Sequence, residues 1–248
     1  MTKTKVEYAD ESITIYPAPC PLNCRYCWSN QPIWIYRTRN ANPLKEAKRL
    51  ARTNKRLTIV ISFTTDPYQP RELHEHLTRK TLDILGAKCR ICNFQHRVML
   101  LSKSSLMEED FPFFKLWHDH GYDLWVGTSL TSVIQIPDEP CQSTNAHRIV
   151  MLQRAHNLGL PTWASIEPWL PDKTYPRQII EATYDFVDWY VIGRLNYVKR
   201  LGYPEIPKGY YKEEIIKTEE LLTSLGYSLS QRPCKKGYWI KKELRKEV

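Results

Sequence analysis

Apolar positions along this chain repeat with two different periods, and the two alternate. Short runs rich in β-branched and aromatic residues read as strands: "SITIY" (12–16), "LTIVISF" (57–63), "RVMLLS" (97–102), "YDLWVGTSL" (122–130), "PTWASI" (161–166) and "DWYVIG" (188–193). Between them the apolar residues recur every three or four positions. "NPLKEAKRLAR" offers Asn42 as N-cap, Pro43 at the first helical position, and Leu44, Ala47 and Ala51 on one face. Leu73, Leu77 and Ile84 predict a helix over 71–85. Asp110 is placed to cap a helix that carries Phe114 and Trp117 and ends near Gly121. Ile149, Leu152 and Ala155 predict another, stopping at Gly159; further helices are expected over 176–186 and 212–225. Six strands each followed by a helix imply parallel pairing with right-handed crossovers, in a partly closed α/β barrel or a doubly wound sheet. In both, ligands meet the loops beyond the carboxyl ends of the strands.

Composition narrows the class without choosing the chemistry. With 42% hydrophobic, 12% aromatic and 25% charged residues, the 248-residue chain reads as an ordinary globular protein. Its longest apolar runs are far shorter than the roughly 20 residues of a membrane helix. The polar start "MTKTKVEYADES" lacks the apolar core of a signal peptide, so a cytoplasmic location with no membrane partner is expected. The net charge of +9 is uneven: residues 191–248 hold 13 Lys or Arg against 7 Asp or Glu, residues 1–190 hold 23 against 20. Seven cysteines, an odd number, fit reduced thiolates better than a secreted disulfide framework.

Every expected strand ends in a polar loop. The first leads to Cys20, Cys24 and Cys27, the second to Thr64, Thr65 and Asp66, the third to Lys103. The fourth leads to Ser129, the fifth to Glu167, and the sixth to Arg194, Asn196 and Tyr197. Three clustered cysteines are one short of a structural zinc site. Cys89 and Cys92, in a helix-to-strand connection, belong to the opposite end of the sheet, with Cys234 as their conceivable partner. Three thiolates suit a four-iron cluster whose fourth iron stays open to another ligand.

The motif CxxxCxxC, with Tyr26 directly before its third cysteine, resembles the signature of the radical S-adenosylmethionine (SAM) superfamily. "SFTTDPYQPRE", "LLSKSSL" and the Glu139–Pro140…Arg148 pattern are similar to the spore photoproduct lyase-like group within it. The resemblance implies a partial (β/α)6 TIM-like barrel over residues 1–195, followed by a basic, aromatic-rich C-terminal helix and tail (196–248). It implies a 4Fe–4S cluster on Cys20, Cys24 and Cys27 and SAM as second cofactor. Thr64, Thr65 and Asp66 would face its amino group, Lys103 its carboxylate, Ser129 its ribose, and Tyr26 and Trp28 its adenine; Glu167 and Arg194 complete the expected cofactor set. A reductant such as flavodoxin or ferredoxin would serve it. The lyase's hydrogen-donating cysteine has no counterpart in "SFTTDP"; Cys141 is the candidate substitute.

The basic quarter interleaves Arg194, Lys199, Arg200, Lys208 and Lys212 with Tyr197, Tyr203, Tyr210 and Tyr211, and the tail adds Tyr238 and Trp239. Cations that neutralise phosphates and rings that stack on bases point to a nucleic-acid substrate, repaired or modified through hydrogen abstraction. Two alternatives stand beside this. One is a radical SAM enzyme for a peptide, protein or small metabolite; the other is a non-catalytic metal-binding module that recognises nucleic acid.

Overall fold

A computed structural model describes residues 6–61, 63–89, 95–141 and 143–247, without the side chains of 87–89. In chain order the elements are β1 (Glu11–Ile13), α1 (Pro32–Thr38), α2 (Pro43–Leu50), β2 (Thr58–Ile61), α3 (Glu72–Glu75) and α4 (Leu77–Cys89). There follow β3 (Arg97–Leu101), α5 (Phe111–Asp119), β4 (Asp123–Ser129), α6 (Asn145–Asn157), β5 (Thr162–Trp169) and α7 (Pro176–Glu181). The last are β6 (Trp189–Arg194), α8 (Lys212–Ser224), β7 (Ser228–Leu229), β8 (Gly237–Ile240) and α9 (Lys242–Arg245). All strand pairs are parallel, in the order β1-β2-β3-β4-β5-β6-β8-β7, so the fold is an α/β partial barrel.

The six expected strands form, and Asn42 caps α2 by accepting from Lys45 N at 3.0 Å. Three expectations change. The helix over 71–85 breaks at His76, whose left-handed φ of 48° divides α3 from α4. Asp110 places no side-chain cap on α5; its carboxylate accepts from the buried Tyr68 hydroxyl at 2.9 Å instead. The barrel does not stop at six strands. "GYWI" adds to β6 as β8, with Trp189 opposite Gly237 and Val191 opposite Trp239, and all four of its residues are buried. Flanking lysines masked this strand in the sequence. Tyr238 and Trp239 are therefore core residues, turned away from any base.

Helices cover the outer face of the sheet, while the inner face is filled at one end only. There Val60, Met99, Trp125, Trp163, Trp189, Val191 and Trp239 pack together, with the Tyr8 ring edge-on to Trp163 at 5.7 Å and to Trp189 at 5.3 Å. Each such ring removes about 150–250 Å² from water, a transfer gain on the order of 5 kcal/mol. Large rings fit because their neighbours are small: a Cβ on Gly127 would lie 2.2 Å from the Trp163 indole nitrogen, which donates to Leu100 O at 2.9 Å. Residues 6–10 strap this floor from below. Glu7 accepts from Trp239 Nε1 at 3.1 Å, and Arg232 donates to Tyr8 O at 3.0 Å and pairs with Asp10 at 2.7 Å.

One row higher, Ser129 stands opposite Ser165. Above them lie Glu167 and Gly193. The interior thus changes from tryptophan to serine and glycine within two to four residues of each strand, and a cleft opens above.

Candidate functional site

The cleft encloses about 910 Å³ of empty space, its open mouth included. Lining it are Cys20, Cys24, Tyr26, Cys27, Trp28, Thr64, Thr65, Asp66, Lys103, Ser129, Glu167 and Arg194, brought together from six strand ends. Asn23, Asn30, Phe63, Ser165 and Asn196 are also part of the wall. Cys141 is not part of it. Its buried thiol lies behind Cys24, to which it is hydrogen-bonded, and also reaches Ser143 O at 3.5 Å. That placement sets it behind the cysteine loop, next to a lining residue of the cleft.

The cysteine loop is shaped by its own backbone. Cys27 N bonds to Cys24 O at 2.9 Å, Asn23 takes a left-handed φ of 48°, and the Asn30 carboxamide clamps Cys20 by accepting from its N–H at 2.8 Å and donating to its carbonyl at 3.2 Å. Cys27 Sγ lies 2.9 Å from Ser29 Oγ. Burial, then the Asp66 charge, pushes the Cys20 thiol up to about 12. The hydrogen bond from Cys141 outweighs burial at Cys24 and, with the Lys103 charge, brings its thiol down to about 7.

Behind Cys24 stands a buried polar network. Glu139 and Arg148 form an ion pair with both side chains fully enclosed, Tyr26 donates its hydroxyl to Glu139, and Arg148 donates to Ser129 O at 2.7 Å. Burial raises the Glu139 carboxyl, but the charges of Arg148 and Lys103 prevail and hold it below its ordinary range. The Lys103 ammonium lies 5.3 Å from the Tyr26 ring centre. Its pKa is lowered by burial but raised further by Cys24 and Glu139, so it stays above the usual lysine value.

Some expected ligand residues are committed to the protein itself. Asp66 Oδ1 accepts from Tyr68 N at 2.9 Å and Ser102 Oγ at 2.7 Å, and Oδ2 accepts from Lys103 N at 2.7 Å. This is the turn-forming use of Asp before proline, and it ties the loops after β2 and β3 together. Thr65 donates to Tyr16 O. Thr64 remains facing the cleft. Glu167 Oε1 receives Lys241 Nζ at 2.7 Å, across β6, where Gly193 leaves just enough room: a Cβ there would meet both side chains at 2.8 Å. Arg194 pairs with Glu247 at 3.4 Å, its Nε having no hydrogen-bond partner among the described residues.

Sequence reasoning missed Lys241, Asn30 and α1. The signal for Lys241 was the four-residue apolar run before it; for α1 it was Pro32, a preferred first helical residue. Cys92 and the side chain of Cys89 lie outside the described residues. Cys234 sits below the floor beside Gly237.

Among the described residues no three His, Cys, Asp or Glu side chains converge closely enough to hold a single metal ion. A tetrahedral zinc site requires such convergence. Thiolates that each bind a different iron of a cubane stand farther apart, and the three cysteines, all opening on one cleft with room beside them, fit that group. No described helix is long and apolar enough to cross a membrane.

No family model matches the chain. It is 26% identical over 203 residues to an uncharacterised protein of Methanocaldococcus jannaschii, MJ0683, a match covering 78% of this chain and 73% of the other. Its fold is similar to Streptococcus suis SuiB solved with SAM bound, at a TM-score of 0.61 and 15% identity over 93% of this chain. It also resembles a radical SAM methyltransferase from Sphaerobacter thermophilus, with a TM-score of 0.52 and 13% identity over 94% of this chain. The chain spans about half the length of SuiB and 67% of the methyltransferase. The partial barrel is thus a fold shared with SAM-dependent enzymes.

Proposed function

We propose that this chain is a radical SAM enzyme that abstracts a hydrogen atom from a nucleic-acid substrate, akin to the spore photoproduct lyase-like group. The observation that carries the reading is the opening of Cys20, Cys24 and Cys27 onto a cleft at the carboxyl ends of a parallel partial barrel. When bound there, a 4Fe–4S cluster together with SAM supplies a 5′-deoxyadenosyl radical. The chain's own part is to hold, orient and shield. Asn30 fixes the ligand loop, and Tyr26 and Trp28 offer faces to an adenine. Thr64, Ser129 and Glu167 offer polar atoms to the rest of the nucleoside and the methionyl group, and Lys103 a positive charge to its carboxylate. The tryptophan floor closes the barrel to water and oxygen from below. A flavodoxin- or ferredoxin-type protein would deliver the electron.

Anaerobic reconstitution with iron and sulfide, then SAM and dithionite, tests this. The expected result is about four irons per chain and release of 5′-deoxyadenosine, both lost in Cys24→Ala. Iron-free protein, or a bound cluster that leaves SAM intact, overturns it.

A further inference from the structure

Helix α1 has none of its seven residues buried, although it carries Ile33, Trp34, Ile35 and Tyr36. It follows the cysteine loop directly, and its Trp34 packs on Trp28 of the cleft wall: the Trp28 ring centre is 4.4 Å from that of Trp34 and 6.3 Å from that of Tyr197, which follows the lining residue Asn196. Tyr36 is 61% exposed and Tyr197 46%, the latter held at a left-handed φ of 59°, a strained setting for a non-glycine residue.

The half-buried Trp34 and the exposed Tyr36 and Tyr197 each have a cation stacked on or beside the ring. Arg37 lies 4.7 Å from the Trp34 ring, Arg39 3.8 Å from Tyr36 and Arg200 6.0 Å from Tyr197. The charge is of one sign. Between Glu11 and Glu46 the sequence has no Asp or Glu, and none occurs from Leu195 to Pro204. A protein-docking helix would expose an apolar centre with charges at its edge. Here guanidinium groups lie over the rings, the arrangement that suits a phosphodiester backbone with its bases unstacked.

Resting on the reading above, we infer that α1 and the turn after β6 form the landing surface for a single-stranded stretch of nucleic acid, which places one unpaired base at the cleft mouth among Trp28, Trp34 and Tyr197. The basic tail beyond β8 is not that surface.

Anisotropy of a labelled mixed-sequence oligonucleotide, as single-stranded DNA, as RNA and as duplex, tests this with the anaerobically reconstituted chain. Single strands should bind more tightly than duplex and quench tryptophan fluorescence. Tyr36→Ala and Tyr197→Ala should each weaken single-strand binding about 5- to 150-fold, the range for loss of one stacked base. Arg37→Ala and Arg39→Ala should each take about 0.7 from the slope of log affinity against log salt. Lys235→Ala and Lys242→Ala in the tail should leave both unchanged. All six side chains are largely exposed, so the variants should fold, and melting curves check it. Preference for duplex, affinity that follows the tail variants, or a surface that takes only an acidic reductant protein overturns the inference. 5′-Deoxyadenosine release, measured separately, tells its failure from failure of the radical SAM reading.

Discussion

The two ends of the barrel interior are built on the same strands and obey opposite rules. At the lower end Trp125, Trp163, Trp189 and Trp239 fill the space, and Gly127 and Gly237 yield to them. At the upper end Ser129, Ser165 and Gly193 leave room, and the cleft admits charged side chains such as Lys103 and Glu167, the latter paired with Lys241. The lower end is held by packing, which is insensitive to pH. The upper end depends on ion pairs such as Glu139–Arg148, which are not. Packed floor and open cleft are thus separated by two to four residues of strand, through a change in side-chain size and charge.

The contrast can be broken most severely at Glu139. Glu139→Ala leaves Arg148 charged, enclosed and unpaired, and should cost about 3–5 kcal/mol in denaturant unfolding. The folded pKa of Glu139 is depressed, so its stabilising contribution is complete above its ordinary value near 4.5 and disappears as pH falls through the lower folded value. Subtracting the stability of Glu139→Gln from that of the wild type at each pH should therefore give a difference that shrinks on acidification below pH 4.5. A flat difference would contradict the role given to this pair.

Next comes the floor. Gly127→Ala drives a methyl into the Trp163 indole and should destabilise by about 1–3 kcal/mol, by a similar amount from pH 5 to 8. Pairing it with Trp163→Phe should recover part of the loss, since the clash is between those two groups. The smallest effect on stability, within about 1 kcal/mol, is expected for Ser165→Val, which adds an apolar side chain where the cleft begins. Its consequence should appear in binding instead: SAM affinity measured by calorimetry on the reconstituted protein should fall at least about tenfold, a shift of 1.4 kcal/mol. Unchanged affinity would mean that the ligand sits higher, away from Ser165.

The sequence made the strand ends legible because parallel strands must finish in loops on one face, and six polar loops after six apolar runs reveal it. The cysteine spacing was legible for a chemical reason, since few other uses need three thiolates so close. What stayed hidden depended on partners far along the chain. Asp66 looks like a free carboxylate until Ser102 and the Lys103 N–H are placed beside it. Lys241 looks like part of a solvated basic tail until β8 carries it across β6 to Glu167. The break at His76 between α3 and α4 was hidden because the apolar spacing of Leu73, Leu77 and Ile84 runs straight through it, although histidine is among the residues that tolerate a left-handed φ. The exposed character of α1 was equally hidden: "PIWIYRT" has the composition of a buried segment.

The strap beneath the tryptophan floor joins residues far apart in sequence, Glu7 and Trp239 being 232 positions apart. During synthesis, then, the base of the barrel stays unsealed until Trp239 has emerged, 232 residues after Glu7, and its tryptophans wait exposed to the surroundings. Non-local closure of this kind slows folding, so assembly of this protein should be paced by its last strand rather than its first.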